Sequence, residues 1–295
     1  MAKQRLLEGN WAGELDLTRR RVAMALAGGY AVAAFSAEAE TIHTDEAGLV
    51  TATVEIQAAD RKIPAFLARP AGKGKHPVVF INTEIFGVHE WIKDVARRFA
   101  KAGYVALAPD FFVRAGDPSK IENIQEVMKI VQATPGDQVT SDTAASLKWL
   151  AAQPFADTKK MAVTGFCWGG GATWLCAERF AEFKAACPWY GPIKAGAYPR
   201  TAPIDLVKDL KCPVLGFYGG KDRGIPQKDI DDIVAAAKAA GNRPRSSSIP
   251  TPSTASWPTT ARATTPRPAP TPGASAWRSS RRTGSPSAAL VRRLV

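Results

Sequence analysis

The sequence predicts an α/β protein in which a mostly parallel β-sheet carries helices on both faces. Three observations predict this class. Short apolar segments alternate along the chain with helical patterns. Apolar residues make up 45% of the 295 positions, which is enough for one sizeable core. A strand near residue 161 also runs directly into a glycine-flanked turn and a helix. We therefore expect one catalytic domain.

Seven segments have the length and apolar content of buried strands. They are Thr51–Ile56, Ile63–Ala68, Val78–Asn82, Val105–Ala108, Met161–Thr164, Ala185–Trp189 and Val214–Tyr218. We expect the first two to form an antiparallel edge and the others to be mostly parallel, since helical patterns separate most of them.

Five segments show these helical patterns. They are His89–Ala102, Ile121–Val131, Val139–Gln153, Gly170–Phe180 and Gln227–Ala240. In a parallel sheet with such crossovers, ligands bind at the carboxyl ends of the strands. The residues that directly follow each strand are therefore the candidate site residues.

The segment Met161–Gly171, Met-Ala-Val-Thr-Gly-Phe-Cys-Trp-Gly-Gly-Gly, is the most informative motif. It predicts a nucleophile elbow in which Cys167 occupies a strained, exposed turn, with glycines at 165 and 169 where a side chain would clash. The following helix would direct its N-terminal amides at the sulfur and favour a thiolate and, later, an oxyanion. The alternative is a buried structural cysteine beside a tight turn.

Further candidate site residues follow three other strands. Glu84 and Ile85 come after the third strand, Arg114 after the fourth, and Asp222 after the seventh. A nucleophile followed along the chain by a carboxylate and then a histidine is the order of an α/β-hydrolase triad. Cys167 and Asp222 fit this order, but no histidine follows Asp222.

Each of these residues also has a purely structural interpretation. Asp222 could cap the turn before the next helix, Glu84 could be a loop surface acid, and Arg114 could be a solvated loop cation. His89 opens a helix and is interpreted as a surface or capping residue. His43 and His76 are assigned no role.

Together these motifs resemble the dienelactone hydrolase family of the α/β-hydrolases. The similarity runs from about residue 42 to residue 241 and rests on five motifs. These are Glu84–Val88, Ala108–Asp110, Gly165–Gly170, Trp189–Gly191 and Gly219–Asp222. The resemblance implies an α/β-hydrolase fold.

The resemblance also implies a role for each matching residue. Cys167 would be the nucleophile, Glu84 would take the thiol proton when substrate binds, and Asp222 would orient the triad histidine. The backbone amides of Ile85 and Trp168 would form the oxyanion hole. Arg114 matches an arginine that pairs with the substrate carboxylate. No cofactor is implied.

The implied reaction is hydrolysis of a cyclic enol ester, such as 4-carboxymethylenebut-2-en-4-olide to maleylacetate, through a covalent acyl-enzyme. The family histidine and a second substrate-binding arginine would fall in residues 242–295, where this sequence departs from the family. We therefore expect this chain to be weakly active or inactive. The alternatives are a general carboxylesterase or thioesterase and a non-catalytic ligand-binding relative.

Residues 242–295 differ sharply in composition from the rest of the chain. They hold nine Arg and no Lys, Asp or Glu, so the formal charge of +12 leaves only +3 for residues 1–241. This distribution does not favour nucleic-acid binding by the folded part. The segment also holds nine Pro, ten Ser and eight Thr without a helix or strand period, which predicts an irregular, disordered tail.

A second hypothesis for this segment is a shifted reading frame. One permitted choice of synonymous codons for Ser248 to Thr260, read from the third base, encodes Tyr-Pro-Asp-Thr-Glu-His-Gly-Phe-Met-Ala-Asp-Tyr. Its histidine codon spans Ser253 and Thr254, where the resemblance expects the triad histidine.

The N-terminus predicts an export signal. Thr18-Arg-Arg-Arg-Val-Ala-Met24 precedes an uncharged Ala/Gly-rich stretch to Ser36, and residues 37–39 supply a small-x-small site. This pattern is similar to a twin-arginine signal and predicts a periplasmic protein. The predicted division is thus a signal segment over 1–39, a hydrolase domain over 40–241 and a tail over 242–295. An amphipathic helix on a cytoplasmic protein is the alternative.

The remaining features of the sequence limit the kinds of ligand and partner that we expect. The apolar stretch before residue 36 is too short for stable membrane insertion. Four cysteines without Cys-x-x-Cys spacing and three histidines predict no metal site and no required disulfide. Cys176, Cys187 and Cys212 are interpreted as packed apolar residues. We expect a monomer that binds a small lactone or ester.

Overall fold

The computed structural model describes residues 43–196, 198–220 and 222–242, and the backbone of residues 245–249. The signal-like segment and the chain beyond residue 249 lie outside these residues. The hypotheses on export, on a disordered tail and on the reading frame therefore stay predictions.

Eight strands form one sheet in the order β1-β2-β4-β3-β5-β6-β7-β8. Neighbours β1–β2 and β2–β4 are antiparallel, and all other neighbouring pairs are parallel. The strands are β1 Leu49–Gln57, β2 Lys62–Pro70, β3 His76–Asn82, β4 Val105–Pro109, β5 Ala156–Phe166, β6 Phe183–Trp189, β7 Leu215–Gly219 and β8 Arg245–Ile249. The predicted mostly parallel sheet with an antiparallel edge is confirmed.

The described part of the chain contains six α-helices. They are α1 Glu90–Lys101, α2 Ile124–Gln132, α3 Gly136–Ala151, α4 Trp168–Arg179, α5 Pro203–Leu206 and α6 Gln227–Ala239. The five predicted helices are α1 to α4 and α6. The single turn of α5 was not predicted, because four residues are too few to show a helical period.

The core lies along the central strands. The side chains of Val78–Ile81 and of Val105–Ala108 are fully buried. Successive side chains of a strand point to opposite faces, so these uninterrupted runs mean that both faces of the sheet are covered. The carboxyl ends of β3, β5, β6 and β7 therefore meet at one edge above a rigid core.

Strand β8 extends the sheet past Gly241, the predicted end of the domain. It pairs in parallel with β7 from Leu215 opposite Arg245 to Gly219 opposite Ile249. The sequence Arg-Ser-Ser-Ser-Ile has no apolar alternation, so periodicity did not indicate a strand. Pairing with the backbone of β7 orders it instead.

No helix among the described residues combines the length and apolar content that a membrane crossing requires.

Candidate active site

Cys167 lies in a strained turn between β5 and α4. Its backbone has φ +53° and ψ −120°, and its N–H donates a hydrogen bond of 3.1 Å to the carbonyl oxygen of Trp189. A non-glycine residue in this region is strained and persists only when its surroundings enforce it. The turn has the strand-to-helix geometry that the motif predicted.

Glycines allow the start of α4 to abut β3. A Cβ atom on Gly169 would overlap the carbonyl oxygens of Asn82 and Thr83, and one on Gly165 would lie 2.7 Å from the Cβ of Asn82. Neither position tolerates a side chain at this separation. This close approach brings the loop after β3, which begins with Thr83 and Glu84, next to the cysteine.

The two segments predicted to supply the oxyanion hole both lie beside the elbow. The amide of Trp168 hydrogen-bonds the Cys167 side chain and lowers its pKa. Ile85 is buried in the turn after β3, which the N–H of Gly87 closes with a 3.2 Å bond to the carbonyl oxygen of Glu84. These positions are compatible with the predicted donor roles.

Glu84 is a buried acid with two hydrogen-bond partners. Its side chain accepts a 3.0 Å bond from the Tyr190 hydroxyl at Oε1, and Oε2 lies 3.3 Å from Nε2 of His89. Only 9% of the residue is exposed. The alternative of a loop surface acid is therefore wrong.

Burial and two nearby carboxylates favour the thiol form of Cys167. Burial raises its pKa to about 12 from an ordinary value of 9.0, and the charges of Glu84 and Asp222 also raise this pKa. The Trp168 amide and the Arg200 guanidinium lower it, but by less. The net shift of this pKa therefore favours the thiol over the thiolate that the helix amides were expected to favour.

Asp222 caps the turn that follows β7. Its Oδ1 accepts bonds of 2.8 Å from the amide of Gly224 and 3.3 Å from that of Ile225. This is the capping role considered from the sequence. The carboxylate also lies near enough to Cys167 to raise the pKa of the thiol, so capping does not exclude a place in a triad.

Arg114 is held between two carboxylates. Its Nε and Nη2 donate to both oxygens of Asp60 at 2.8 and 2.5 Å, and its Nη1 and Nη2 donate to Asp142 at 2.7 and 3.0 Å. These two carboxylates raise the pKa of Arg114. The guanidinium is thus engaged within the protein, and its predicted pairing with a substrate carboxylate stays a prediction. Its ion pairs connect the loop after β4 to Asp142 on α3 and to Asp60 in the β1–β2 turn.

Arg200 is a cation near the nucleophile that sequence reasoning missed. Its guanidinium lies 4.9 Å from the ring centre of Trp168 and 5.2 Å from that of Tyr198. Its Nη1 and Nη2 atoms are buried and have no hydrogen-bond partner among the described residues. Burial lowers the pKa of Arg200 to about 10. A single arginine in a loop gives no periodic signal that could have indicated this position.

His89 occupies the N-cap position of α1, in line with the capping interpretation, although not through its side chain. It precedes α1 with an extended backbone, and within the described part its side chain makes no capping bond. The ring turns instead to Glu84. Tyr190, like Cys167, has a positive φ, here +36°. It belongs to the motif Trp189–Gly191, but the sequence did not show that its hydroxyl reaches Glu84.

Metal ligation finds no support in the described residues. No group of three His, Cys, Asp or Glu side chains there could hold an ion. Cys176, Cys187 and Cys212 are buried free thiols, as expected for packed residues.

Comparisons with known proteins show which family this chain is similar to. A model of the dienelactone hydrolase family matches residues 63–245. A Methylorubrum extorquens protein, provisionally named carboxymethylenebutenolidase, is 45% identical over 235 residues, which are 78% of this chain and 81% of that protein. A Salmonella typhimurium protein with the same provisional name is 38% identical over 216 residues, 72% of this chain and 80% of its own.

A solved structure from Klebsiella pneumoniae, provisionally described as a dienelactone hydrolase, superposes with a TM-score of 0.66. Its sequence is 36% identical, and the alignment covers 70% of this chain and 87% of that one.

Proposed function

Because the chain belongs to the dienelactone hydrolase family, we propose that it opens a cyclic enol ester of the dienelactone type through Cys167. The observation that carries this proposal is the strained elbow, with Cys167 at φ +53° between β5 and α4. That conformation holds a nucleophile at the end of a rigid strand and at the start of a helix. A cysteine with only a packing role needs no such strain.

Acylation begins with the neutral thiol. Its proton passes to Glu84, and the thiolate attacks the lactone carbonyl carbon. The carbonyl oxygen becomes an oxyanion held by the amides of Ile85 and Trp168. When the intermediate collapses, the ring C–O bond breaks and the enol oxygen leaves, still tethered to the acyl group. Water then hydrolyses the thioester and regenerates the thiol.

Hydrolysis of the thioester requires a base, and here the chain as written is impaired. We take Asp222 as the carboxylate that would orient a triad histidine, but the sequence has no histidine after residue 89. Loss of one triad member can cost about 10³-fold or more in kcat. The shifted-frame hypothesis would restore a histidine codon at Ser253 and Thr254, four residues along the chain from the end of β8 at Ile249.

Arg200 supports an anionic substrate. A buried guanidinium without a hydrogen-bond partner is unfavourable, and a carboxylate would compensate it. The positive charge of Arg200 acts on Cys167 and therefore lies close to the reacting carbonyl. We assign to Arg200 the carboxylate recognition that the sequence had assigned to Arg114.

A non-catalytic ligand-binding function is the second candidate, because a pocket can persist where the triad histidine is absent. The two functions differ in turnover.

Purified protein, the frame-corrected protein and Cys167→Ala variants of both should be assayed on a dienelactone and on a neutral aryl ester. Dienelactone turnover that is restored by the corrected frame and abolished by Cys167→Ala supports the hydrolase. Binding that Cys167→Ala leaves unchanged, without turnover by any form, supports the binding protein. Faster hydrolysis of the aryl ester favours a general esterase.

A further inference from the structure

We propose that Tyr198 is a further catalytic residue, whose hydroxyl donates a hydrogen bond to the Cys167 sulfur while that sulfur is a thiolate. The inference rests on the proposed function, in which Cys167 becomes a thiolate before it attacks and again when the acyl group leaves. It assigns to the sulfur a donor of its own, separate from the amides that hold the oxyanion.

Tyr198 lies in the loop between β6 and α5, beside the elbow. Its side chain is half-buried against the core, and its hydroxyl is within hydrogen-bonding reach of the Cys167 side chain. The sequence did not indicate this position, since Tyr198 follows no strand directly and belongs to none of the five motifs. Only the path of the loop brings it to the nucleophile.

Two contacts hold the Tyr198 ring over the start of α4. The guanidinium of Arg200 lies 5.2 Å from the centre of this ring and 4.9 Å from that of the Trp168 ring. The carbonyl oxygen of Pro199, the next residue, accepts a 2.9 Å hydrogen bond from the N–H of Gly136 at the start of α3. Trp168 directly follows the nucleophile, so these contacts hold the hydroxyl beside the sulfur.

The Tyr198 hydroxyl keeps its proton and can therefore act as a donor. Burial and the charge of Cys167 raise the pKa of Tyr198 above its ordinary value of 10.0. The charge of Arg200 lowers this pKa, but by less. A nearby cation favours negative charge on the phenol oxygen, which strengthens the O–H group as a donor without removing its proton.

The thiolate needs this donor because its other donor changes partner. The Trp168 amide hydrogen-bonds the Cys167 side chain before substrate binds. In the proposed mechanism this amide turns to the oxyanion when the lactone carbonyl is attacked. Tyr198 has no part in the oxyanion hole and stays with the sulfur. A hydrogen bond to a charged acceptor is stronger than one to a neutral acceptor, so Tyr198 stabilises the thiolate more than the thiol.

The hydroxyl proton stays on Tyr198 in both steps. In acylation the thiol proton passes to Glu84, Sγ bonds to the carbonyl carbon, the ring C–O bond breaks, and the proton on Glu84 passes to the enol oxygen. In deacylation water adds to the thioester carbon, and the C–S bond breaks with its electron pair on Sγ. The proton released by water then restores the thiol. Tyr198 donates to the sulfur whenever it carries charge.

The rates at which Cys167 is modified at one fixed pH test the proposal. Alkylation by iodoacetamide and adduct formation with a dienelactone should be followed at pH 7.5 by mass spectrometry of the Cys167 peptide. Tyr198→Phe removes the hydroxyl and keeps the ring against Arg200. We expect both rate constants to fall by about threefold or more, because the loss of thiolate outweighs the higher nucleophilicity of the thiolate that remains.

The lactone concentration at half-saturation gives a second readout. It should stay within about twofold of the wild-type value, because Tyr198 contacts the sulfur and not the substrate. If the rate of adduct formation stays at the wild-type value and only the half-saturating concentration rises, Tyr198 binds substrate and the proposal is overturned.

The direction of the alkylation change separates a hydrogen bond from shielding. If Tyr198 only covered the thiol, its replacement by the shorter Phe would open access and speed alkylation. An alkylation rate equal to or above that of the wild type would therefore overturn the proposal.

Two further proteins serve as controls. Tyr104→Phe removes a hydroxyl at the amino end of β4, the opposite edge of the sheet from the elbow, and should leave both rate constants unchanged. Replacement of Tyr198 by 4-fluorophenylalanine fills the space of the hydroxyl without donating, so this protein should fold even if Tyr198→Phe does not. It should lose the same factor in both rates, and wild-type rates would contradict the hydrogen bond. If the wild type forms no lactone adduct, the proposed function fails, and the iodoacetamide rates still decide the role of Tyr198.

Discussion

The hydroxyl of Tyr190 donates a 3.0 Å hydrogen bond to Oε1 of Glu84, a residue 106 positions earlier in the chain. The bond joins the carboxyl ends of β6 and β3 across the elbow between them. It also fixes one oxygen of the carboxylate that faces the thiol. The acid is thus positioned by the fold and is not a mobile loop residue.

Tyr190→Phe should therefore weaken both activity and stability. Removal of the hydroxyl leaves Oε1 of buried Glu84 without this donor, which costs about 1–2 kcal/mol of unfolding free energy. We expect kcat/KM of the frame-corrected protein to fall about tenfold, since the proton acceptor is less well positioned. Urea denaturation and steady-state kinetics measure the two effects. Wild-type values for both would contradict the assigned bond.

The raised pKa of the Cys167 thiol predicts how stability depends on pH. Its folded-state pKa of about 12 exceeds the ordinary value of 9.0, so the thiol contributes stability that is fully present below pH 9. This contribution is lost as pH rises from 9 towards 12. Cys176, Cys187 and Cys212 behave alike, since burial raises the pKa of each to about 12.

Urea unfolding at pH 8 and at pH 10 tests this dependence. The unfolding free energy of the wild type should decrease between the two values, and that of Cys167→Ala should decrease less. An equal decrease in both proteins would mean that Cys167 ionises as readily in the folded chain as in the unfolded one.

Arg114 is predicted to matter for stability and not for substrate binding. Arg114→Met leaves Asp142, whose side chain is 1% exposed, without its ion-pair partner, and should cost about 3 kcal/mol. Asp60→Asn is the matched control, because that side chain is 57% exposed and its pair with Arg114 is screened by solvent. The control should lose much less stability. An unchanged melting temperature with a raised KM in Arg114→Met would restore the role that the sequence predicted.

Arg200 is predicted to discriminate between anionic and neutral substrates. In the frame-corrected protein, Arg200→Met should raise KM for a carboxylate-bearing lactone at least tenfold, because a charge-assisted bond is lost. It should change KM for a neutral aryl ester by less than twofold. Equal effects on both substrates would show that Arg200 supports the fold of the loop and not the recognition of charge.

The parts predicted from sequence are those that local chemistry determines. The elbow at Cys167 was predictable, because its flanking glycines and the adjoining strand and helix are contiguous in the chain. The burial of Glu84 was not, since it depends on Tyr190 and on the approach of α4 to β3. Local sequence can place a residue at the end of a strand, but it cannot show what that side chain will meet.

The two arginines show the same limit. Arg114 follows a strand in a recognised motif, yet its partners Asp60 and Asp142 lie 54 and 28 positions away, and their approach redirects it. Arg200 lies in a loop without any pattern and reaches Trp168 only through the path of that loop. His89 does occupy the N-cap position of α1, but the sequence could not show that its ring turns to Glu84.

The measurement that tests the central claim most directly is intact-protein and peptide mass spectrometry after mixing with a dienelactone. The leaving oxygen stays tethered to the acyl group, so acylation adds the full mass of the lactone. Since no histidine follows Asp222, deacylation should be slow and the adduct should accumulate on Cys167. The Cys167→Ala variant should carry none. Lactone turnover that persists in Cys167→Ala, without an adduct on the wild type, would contradict the account.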